Sequence, residues 1–560
     1  MYKLIIGSSD FKKIMENNGY YIDKTMLIKD VLEEGKEVVL LPRPRRFGKT
    51  LNMSMLYNFL NVEENTKELF KGLKIEKEED IMRRINSYPT IFLSLKSAKA
   101  DTWEGCYGNL KMILSKVYQE KYELLKDSLN KFEIEMYESI IRKKATVEEY
   151  KYSLVNMMTY LQRYYNKKVI LLIDEYDVPL QSAWLSKEEG YYEKVTDFMQ
   201  IFLTEALKDN VPLERGVLTG ILRVAEESIF SGLNNIVVHS LLKPNKYNKY
   251  FGFTETEVEK MLKDFKQTEN YEEIKEWYNG YKFGEETLYN PWSMINYVDT
   301  GRIEPYWINT SGNYIIKELI DTLSYEYKNK LEALIQGEII KNIKIDDHIV
   351  YPEIDSNEES LWSFMVMSGY LKINELVNNR ENICNIDIPN LEVKQIYRDQ
   401  ILSWFKEKIK QSDVVLGIIE GIKKGDIPKF TKNFKEAVYT TFSYIDADSI
   451  EGEKFYHGFS LGLAVNLNED YYIKSNREVG YGRYDISMEP KDKTKHGYII
   501  ELKNSKDETK LEQDAEEALN QIEKNEYYAE LKERGVNEII RIAIAFKGKR
   551  CEIMYKTDAC

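Results

Sequence analysis

The sequence predicts an α/β protein with a parallel sheet in its first part, a helical middle region and a smaller α/β domain at the end. Three observations support this prediction. Residues 38–41 form an apolar run that leads through a short basic loop into a helix-like apolar pattern over 51–59. Residues 169–173 form a second apolar run, which ends in two acids, and strand-like stretches recur between 471 and 503. At roughly 150 residues for each domain, the chain is expected to hold about three domains.

Composition narrows the class of protein. Hydrophobic residues make up 43% and charged residues 31% of the 560 residues, the mix of a soluble globular protein. The four cysteines and four histidines lack the spacing of a disulfide framework or a zinc site. There is no charged-then-apolar leader and no apolar run of about 18 residues, so a cytoplasmic protein without a membrane segment is expected. The net charge of −14 argues against broad nonspecific nucleic-acid binding but leaves room for a local basic cleft.

The loop after the first apolar run has the composition of a phosphate-binding loop. A Gly-Lys-Thr tripeptide alone is a weak signal, but here a strand precedes it and a helix follows it. Gly48 would let the backbone approach a phosphate, and Lys49 would place a positive charge on the outer phosphates. The Thr50 hydroxyl can ligate Mg²⁺, and the first amides of the helix point at the anion. The loop therefore predicts binding of a nucleotide with Mg²⁺.

One position of this loop departs from the usual motif. Arg43 stands where the first glycine is expected, so the turn must be made in another way. Arg46 and Phe47, which directly precede Gly48, complete the residues predicted to contact the nucleotide.

Asp174 and Glu175, at the end of the second apolar run, are the acids that a phosphate loop requires. Asp174 would hold Mg²⁺ through water, and Glu175 would polarise the water that attacks the γ-phosphate. Two acids at a strand end also serve as ordinary solvated residues, and only the preceding phosphate loop favours the catalytic interpretation.

The strand predicted at 216–221 supplies two further candidates. Thr219 lies near its end, where a small polar residue reads the γ-phosphate in ATPases of this class. Arg223 follows the strand and is a candidate arginine for stabilising charge on the phosphates. A surface arginine that caps the strand end is the alternative. Residues 20–25 precede the loop and have two interpretations, a helix cap by Asp23 or Thr25 or a contact to the nucleotide base.

Taken together, these motifs resemble the bacterial and archaeal AAA-ATPase-like proteins. The matching stretches are Tyr-Ile-Asp-Lys-Thr at 21–25, Arg-Pro-Arg-Arg-Phe-Gly-Lys-Thr at 43–50, Leu-Leu-Ile-Asp-Glu-Tyr-Asp at 171–177, Ser-Gly-Leu-Asn-Asn at 231–235, Trp-Tyr-Asn-Gly-Tyr at 277–281 and Tyr-Asn-Pro-Trp-Ser at 289–293. The resemblance covers about the first 300 residues. It implies a P-loop ATPase with ATP as its ligand, and in this family Arg43 at the first glycine position is normal.

The middle of the chain is predicted to be helical. Residues 245–300 read as a helical lid in which Thr254 caps a helix that begins with acids. Residues 301–445 read as helices joined by short polar loops, including 362–370, 391–409 and 427–442. No chemistry is evident there, which favours a spacer or coupling module.

The C-terminal part has a different pattern. A helix is predicted at 455–465 and strands at 471–475, 480–488 and 496–503. Glu501 and Lys503 point to the same side of a strand because side chains repeat every two residues, and a neighbouring strand can bring Asp485 beside them. Two carboxylates would bind Mg²⁺ while the lysine acts on a water molecule, which is metal-assisted phosphodiester hydrolysis.

This array resembles the PD-(D/E)XK nuclease superfamily, with Asp485 as its aspartate and residues 501–503 as its Glu-x-Lys. Gln521 on a helix predicted at 511–532, with Tyr527 or Tyr528 beyond it, looks like the glutamine-tyrosine element of exonuclease-like members. A strand at 539–546 would complete an α-β-β-β-α-β core. A Glu-x-Lys alone is most often a plain alternating strand; the combination favours the nuclease.

These interpretations give an ATPase-like domain over 1–245, a helical lid and coupling region over 246–445 and a nuclease-like domain over 446–560. The expected function is ATP binding, with hydrolysis, that regulates Mg²⁺-dependent cutting of nucleic acid, with DNA as the expected substrate. The alternative is a nucleotide-dependent signalling or scaffold protein whose last domain binds nucleic acid without cutting. Assembly into a homo-oligomer is left open.

Overall fold

A computed structural model describes residues 3–223, 235–307, 319, 325–354, 357–397, 412–441, 462, 466–479, 482–505, 507–547 and 550–559. The chain forms two compact units. The first comprises Met1–Thr310 and Lys341–Glu392, and the second comprises Ser311–Ile340 and Val393–Cys560. Within the described ranges, no helix has both the length and the apolar character that crossing a bilayer requires.

The first unit is built on a five-stranded parallel sheet, which confirms the predicted α/β class. Its strands are β1 (Val38–Pro42), β2 (Thr90–Ser94), β3 (Val169–Asp174), β4 (Leu213–Gly220) and β5 (Ile236–Val238), in the order β2-β3-β4-β1-β5. The three central strands are almost wholly buried, which explains their continuous apolar runs. Leu41 pairs with Thr219, so the ends of β1 and β4 lie side by side where the phosphate loop begins.

The first unit also contains many helices, and some of them begin with a side-chain cap. The helices are α1 (Phe11–Glu16), α2 (Met26–Leu32), α3 (Lys49–Leu60), α4 (Glu79–Met82), α5 (Trp103–Leu125), α6 (Lys131–Ile141), α7 (Val147–Lys151), α8 (Ser153–Tyr165), α9 (Val178–Trp184), α10 (Tyr191–Leu207), α11 (Glu255–Phe265), α12 (Tyr271–Tyr278) and α13 (Pro291–Thr300). The cap predicted at Thr254 is confirmed, since its side chain and that of Glu257 form a capping box at α11.

The middle region contains strands that the helical prediction missed. A hairpin of β6 (Tyr281–Phe283) and β7 (Glu286–Leu288) follows α12. After α14 (Tyr325–Gln336) come β8 (Ile340–Lys344), α15 (Glu358–Met367), β9 (Lys372–Asn378) and β10 (Ile383–Asp387), and the three strands form a sheet in the order β8-β10-β9. These strands are short and largely polar, so they gave no apolar run; the helix at 362–370 is observed as α15. Of the helix predicted at 391–409, the part beyond 397 lies outside the described residues.

The second unit holds a mixed sheet between two layers of helices. Helices α16 (Ser412–Lys424) and α17 (Ile427–Thr441) precede strands β11 (Tyr471–Val479), β12 (Gly482–Pro490), β13 (Gly497–Asn504), β14 (Glu538–Lys547) and β15 (Arg550–Ala559), which are ordered as numbered. Only β13 and β14 run parallel. The face bearing Ile486 and Ile500 packs on α16 and α17, while Ile499 and Ala543 face α18 (Leu511–Lys524) and α19 (Ala529–Glu533).

The predicted strands of this unit are confirmed, and two other features differ from the prediction. The helix expected over 511–532 is interrupted between α18 and α19. Strand β15 was not predicted, because its sequence is polar and it lies at the edge of the sheet. The helix expected at 455–465 lies outside the described residues except for Gly462.

Candidate functional site

The phosphate loop closes around the side chain of Lys49. Gly48 has a positive φ of 82° and directly precedes α3, a conformation that glycine adopts without strain. Lys49 is buried, and its Nζ donates to the carbonyl oxygens of Arg43 at 2.9 Å and Pro44 at 2.8 Å. Burial lowers the pKa of Lys49, and the nearby negative charge of Glu175 opposes this shift. The ammonium group therefore shapes the loop from inside while its charge faces the acids at the end of β3.

Arg43 stands where the first glycine of the usual motif is expected, and its side chain points into the protein interior. Its side chain is fully buried. Nη1 donates to the carbonyl oxygen of His239 at 2.6 Å, and Nη2 donates to Asn248 Oδ1 at 2.8 Å. The guanidinium lies 5.3 Å from the ring centre of Phe251 and 5.5 Å from that of Phe283. Burial lowers the pKa of Arg43 to about 9. The side chain thus ties the end of β1 to the segment that follows β5.

The structure brings three predicted magnesium-site and phosphate-site residues into one hydrogen-bonded group. Asp174, at the end of β3, is fully buried. Thr50 Oγ1 donates to one of its carboxylate oxygens at 2.7 Å, and Thr219 Oγ1 of β4 donates to the other at 2.6 Å. The group forms because the ends of parallel strands meet at one edge of the sheet, beside the start of α3. It presents the oxygen ligands that Mg²⁺ prefers.

Glu175 and Asp177 follow Asp174 but have different surroundings. Glu175 is half-buried in a left-handed conformation with φ of 54°, and burial raises the pKa of its carboxyl group. Asp177 is buried and accepts hydrogen bonds from the backbone amides of Ile221 and Leu222, at 2.8 Å and 3.1 Å. Asp177 therefore anchors the end of β4. Glu175 has a different character, because its acidic side chain belongs to a residue in an unusual backbone conformation.

Arg223 is not part of the group formed around Asp174. Its Nη1 lies 2.8 Å from Nε2 of His348, on the segment that precedes α15. The hydrogen bonds of Lys49 and Asp174 are made with other partners. The predicted contact of Arg223 with the γ-phosphate remains a prediction.

Aromatic residues far along the chain cover the phosphate loop, and sequence reasoning gave them no role. Phe47 is fully buried, with its ring centre 4.9 Å from that of Tyr281 and 5.2 Å from that of Phe283. The guanidinium of Arg46 lies 4.3 Å from the ring centre of Trp292. We call Tyr281, Phe283 and Trp292 the aromatic cover. Tyr281 and Trp292 belong to motifs that carry the family resemblance. Their place in these motifs is the sequence signal that could have indicated a role at the loop.

The 21–25 motif has a structural role that neither sequence interpretation included. Lys24 is buried, and its Nζ donates to both carboxylate oxygens of Glu257, at 2.8 Å and 2.6 Å. Asp23 accepts from the backbone amide of Thr25 at 2.9 Å, directly before α2, whose start has no other side-chain cap. The motif therefore joins the start of α2 to α11 through a buried ion pair. The motif at 231–235 lies outside the described residues except for Asn235.

In the second unit, the structure places Asp485, Glu501 and Gln521 together. Extending the β12–β13 register by one pair beyond Ile486 and Ile500 sets Asp485 opposite Glu501. Asp485 Oδ2 accepts a hydrogen bond from the backbone amide of Leu502 at 2.7 Å. Gln521 Nε2 of α18 donates to Glu501 Oε1 at 3.0 Å. The aspartate, the glutamate and the glutamine predicted from spacing thus share one site.

The second carboxylate oxygen of Glu501 is buried and has no hydrogen-bond partner among the residues that the structure describes. Glu501 is 8% exposed. Burial and the neighbouring charge of Asp485 raise the pKa of Glu501 to about 8. On the neighbouring strand β14, Ala543 pairs with Glu501 and Ala545 pairs with Lys503. Both alanines are small, so α18 can approach the sheet and exclude water. A buried oxygen without a donor is costly, and a bound cation is one way to satisfy it.

Lys503 lies on the same side of β13 as Glu501 but contacts other acids. Its Nζ lies 2.6 Å from Glu517 Oε2 and 3.5 Å from Asp514 Oδ1, both on α18. The hydrogen bond with Glu517 raises the pKa of Lys503, so the side chain acts as a cation. In the described part of the chain, no group of three or more His, Cys, Asp or Glu side chains could hold a metal ion. Asp485 and Glu501 are therefore a two-carboxylate site, to which substrate oxygens and water would add ligands.

Comparisons with known proteins agree with the two predicted resemblances. Residues 5–230 match the family model described as a predicted AAA-ATPase. Residues 451–556 match the model of the PD-(D/E)XK nuclease superfamily. A protein of Azotobacter chroococcum mcd 1, described as an uncharacterized protein in the vnfD 5′ region, is 24% identical over 402 residues, which are 71% of this chain and 70% of the relative. The predicted order, an AAA-ATPase-like region followed by a PD-(D/E)XK domain, is confirmed.

Proposed function

We propose that this protein binds and hydrolyses ATP at its phosphate loop and thereby regulates a nuclease domain that cuts nucleic-acid phosphodiesters with Mg²⁺, with DNA as the substrate. In this proposal residues 1–245 form the ATPase domain, 246–445 the coupling region and 446–560 the nuclease domain. The AAA-ATPase-like and PD-(D/E)XK matches support the two chemistries. The link between them rests on their presence in one chain.

One observation carries the nuclease proposal. The partnerless buried oxygen of Glu501 faces a site that also holds the Asp485 carboxylate. Two close carboxylates repel each other in a buried site unless a proton or a bound cation neutralises the charge. Asp485 and Glu501 would hold Mg²⁺, which supplies positive charge to the phosphate and lowers the pKa of a water molecule when bound.

The other residues of this site have supporting roles. Gln521 donates to one oxygen of Glu501 and so keeps the other oxygen directed at the site. The hydroxyl of Tyr527 lies 3.3 Å from Gln521 Nε2, and Asn525 Nδ2 donates to the same hydroxyl at 2.9 Å. Lys503 would exchange its contact with Glu517 for a phosphate oxygen and stabilise the charge that develops there.

At the phosphate loop, the proposed roles follow the hydrogen-bonded group. Lys49 would bind the outer phosphates, Thr50 and Asp174 would hold Mg²⁺, and Thr219 would sense the γ-phosphate through Asp174. Glu175 would accept a proton from the attacking water, for which a raised pKa is suited. Glu175→Gln should bind a fluorescent ATP analogue as the unchanged protein does but release phosphate at least about 100-fold more slowly. Equal phosphate release would remove Glu175 from this role.

Cleavage assays on the full chain test the nuclease proposal. Single-stranded, double-stranded and nicked DNA and an RNA of the same sequence are incubated with Mg²⁺, with and without ATP. Asp485→Ala and Glu501→Ala should lose both cleavage and binding of Mg²⁺ by calorimetry, whereas Lys503→Ala should keep Mg²⁺ and lose most of the rate. Glu512→Ala, an exposed acid on α18, is the matched control and should cut normally. Cleavage that survives in Glu501→Ala contradicts the proposal.

The alternative is a domain that binds nucleic acid without cutting it. The contact of Lys503 with Glu517 and Asp514 favours this alternative, because it holds the lysine on α18. The same assays separate the two functions. Retained DNA binding with no cleavage of any substrate under any divalent ion would support the scaffold role.

A further inference from the structure

Arg46 is the phosphate-loop residue whose side chain has the fewest ties to the protein. Among the described residues, its guanidinium makes no hydrogen bond or ion pair, and it lies 4.3 Å from the ring centre of Trp292. Its backbone has a positive φ of 69°, a conformation that residues other than glycine adopt only under constraint. Strained backbone of this kind gathers at functional sites. Arg46 therefore presents unused donors at the mouth of the loop.

The surroundings hold this guanidinium in one place. Phe47, the next residue, is buried under Tyr281 and Phe283 and so fixes the Arg46 backbone. The Trp292 ring is fixed as well, since its Nε1 donates to the carbonyl oxygen of Tyr306 at 3.1 Å. Asn290 Oδ1 accepts from the Trp292 amide at 2.9 Å and caps α13. Stacking on an immobile ring positions a guanidinium while leaving its N–H groups available.

The charge of Glu175, the proposed catalytic base, also acts on Arg46. Burial lowers the pKa of both Lys49 and Arg46, and the negative charge of Glu175 raises it in each. Glu175 is therefore close enough to act on both cations. Arg223, the arginine expected from sequence, is instead beside His348.

We propose that Arg46 is a catalytic residue that donates to the terminal phosphate of ATP, and that Trp292 is the positioning residue that holds its guanidinium. The inference rests on the proposed ATPase function. In hydrolysis the water oxygen bonds to the γ-phosphorus, the bond from phosphorus to the bridging oxygen breaks with its electron pair left on ADP, and the water proton passes to Glu175 and then to solvent. Arg46 stabilises negative charge on the phosphate oxygens during this step. The aromatic cover thereby becomes part of the ATPase site.

Full-chain variants test both roles, with ATP hydrolysis and the affinity for a fluorescent ATP analogue measured separately. Arg46→Ala should lower kcat at least about 100-fold, while the affinity changes by less than about tenfold. Arg46→Lys should keep part of the rate, and millimolar guanidinium should restore part of the rate of Arg46→Ala. Trp292→Leu should lower kcat about tenfold and Trp292→Phe much less, since phenylalanine retains a ring. Arg142→Ala, an exposed arginine on a surface helix, is the matched control.

Four results would overturn the inference. One is hydrolysis of ATP at the unchanged rate by Arg46→Ala. A second is loss of the nucleotide by this variant as complete as in Lys49→Ala, which would make Arg46 a binding residue. Loss of rate in Arg223→Ala with none in Arg46→Ala would return the role to Arg223. An unchanged protein that binds the analogue without hydrolysing ATP would overturn the ATPase proposal together with this inference, whereas the first three results leave the ATPase proposal intact.

Discussion

Asp174, at the end of β3 in the first unit, and Glu501, within β13 in the second unit, both have buried carboxylates. The hydrogen bonding of the two carboxylates differs. Both oxygens of Asp174 accept from threonine hydroxyls. One oxygen of Glu501 accepts from Gln521, and the other has no donor in the described part of the chain. The first site is complete without a ligand, whereas the second contains an unsatisfied charge or proton. We therefore expect that the carboxylate of Glu501, which the proposed function requires, lowers the stability of the ligand-free protein. We expect no such cost at Asp174.

Glu501→Gln gives the largest expected effect and sharpens this contrast. Cleavage should fall at least about 1000-fold, because an amide is a poor ligand for a divalent cation. At a pH above about 8, where Glu501 ionises, the same variant should have a higher Tm than the unchanged protein in EDTA. Asp174→Ala should instead lower stability by about 1–3 kcal/mol, since Thr219 loses its partner in a buried place. Thermal unfolding of the three proteins measures both signs. A lower Tm for Glu501→Gln would show that the two carboxylates do not differ.

Lys49→Ala tests the complete site through its ligand. The affinity for a fluorescent ATP analogue should fall at least about 100-fold, because the cation on the outer phosphates is lost. Lys116→Ala, an exposed lysine on α5, should bind normally. Mg²⁺ binding by Asp485 and Glu501 should be unchanged in both variants. Unchanged ATP affinity in Lys49→Ala would contradict the assignment of the loop.

The pH dependence of metal binding distinguishes the two sites further. A pKa of about 8 means that a proton occupies Glu501 below that pH and competes with the cation. The affinity for Mg²⁺ should rise about tenfold for each pH unit up to about 8 and then level off.

Because the folded state raises this pKa above the ordinary value of 4.5, the metal-free protein binds more protons folded than unfolded between these pH values. Its stability should therefore fall as pH rises from about 4.5 to 8, and the comparison with Glu501→Gln isolates this contribution. A flat Mg²⁺ titration from pH 6 to about 8 would contradict the raised pKa.

Coupling between the two activities is the smallest expected effect. ATP should change the cleavage rate of the full chain by about fivefold or more. If ATP also changes the affinity for DNA, DNA changes the affinity for ATP by the same factor. Lys49→Ala should cut at the rate seen without ATP. If ATP and DNA have no influence on each other in the same preparation, the regulatory part of the proposal loses its support.

The sequence predicted which residues lie together where their placement follows from strand geometry. Lys49, Thr50, Asp174 and Thr219 lie close to regular elements, and the ends of parallel strands meet by construction. Asp485 and Glu501 could be paired because a hairpin register follows from alternation, and Gln521 could be placed because a helix returns over the sheet. These predictions needed only local periodicity and a topology implied by the resemblance.

The same reasoning missed contacts that depend on distant loops. Nothing near Arg46 in the sequence indicates that Trp292 will stack on it, and Lys24 and Glu257 lie 233 positions apart. The sheet of β8, β9 and β10 was read as helix because its strands bury only scattered residues. Such contacts arise from packing between separate elements, for which a single sequence carries no periodic signal.

The strand order also has a consequence for synthesis of the protein. Strand β1 pairs with β4 and β5, so the run at Val38–Pro42 has no partner until the chain has been made as far as Leu213–Gly220, and it lacks its second partner until Ile236–Val238. At about 5–20 residues each second, that delay is roughly 10–40 s. During this interval a strongly apolar segment is exposed on the ribosome-bound chain and the nucleotide loop cannot close. We expect nascent chains that stop before β4 to require chaperones and to be unable to bind ATP.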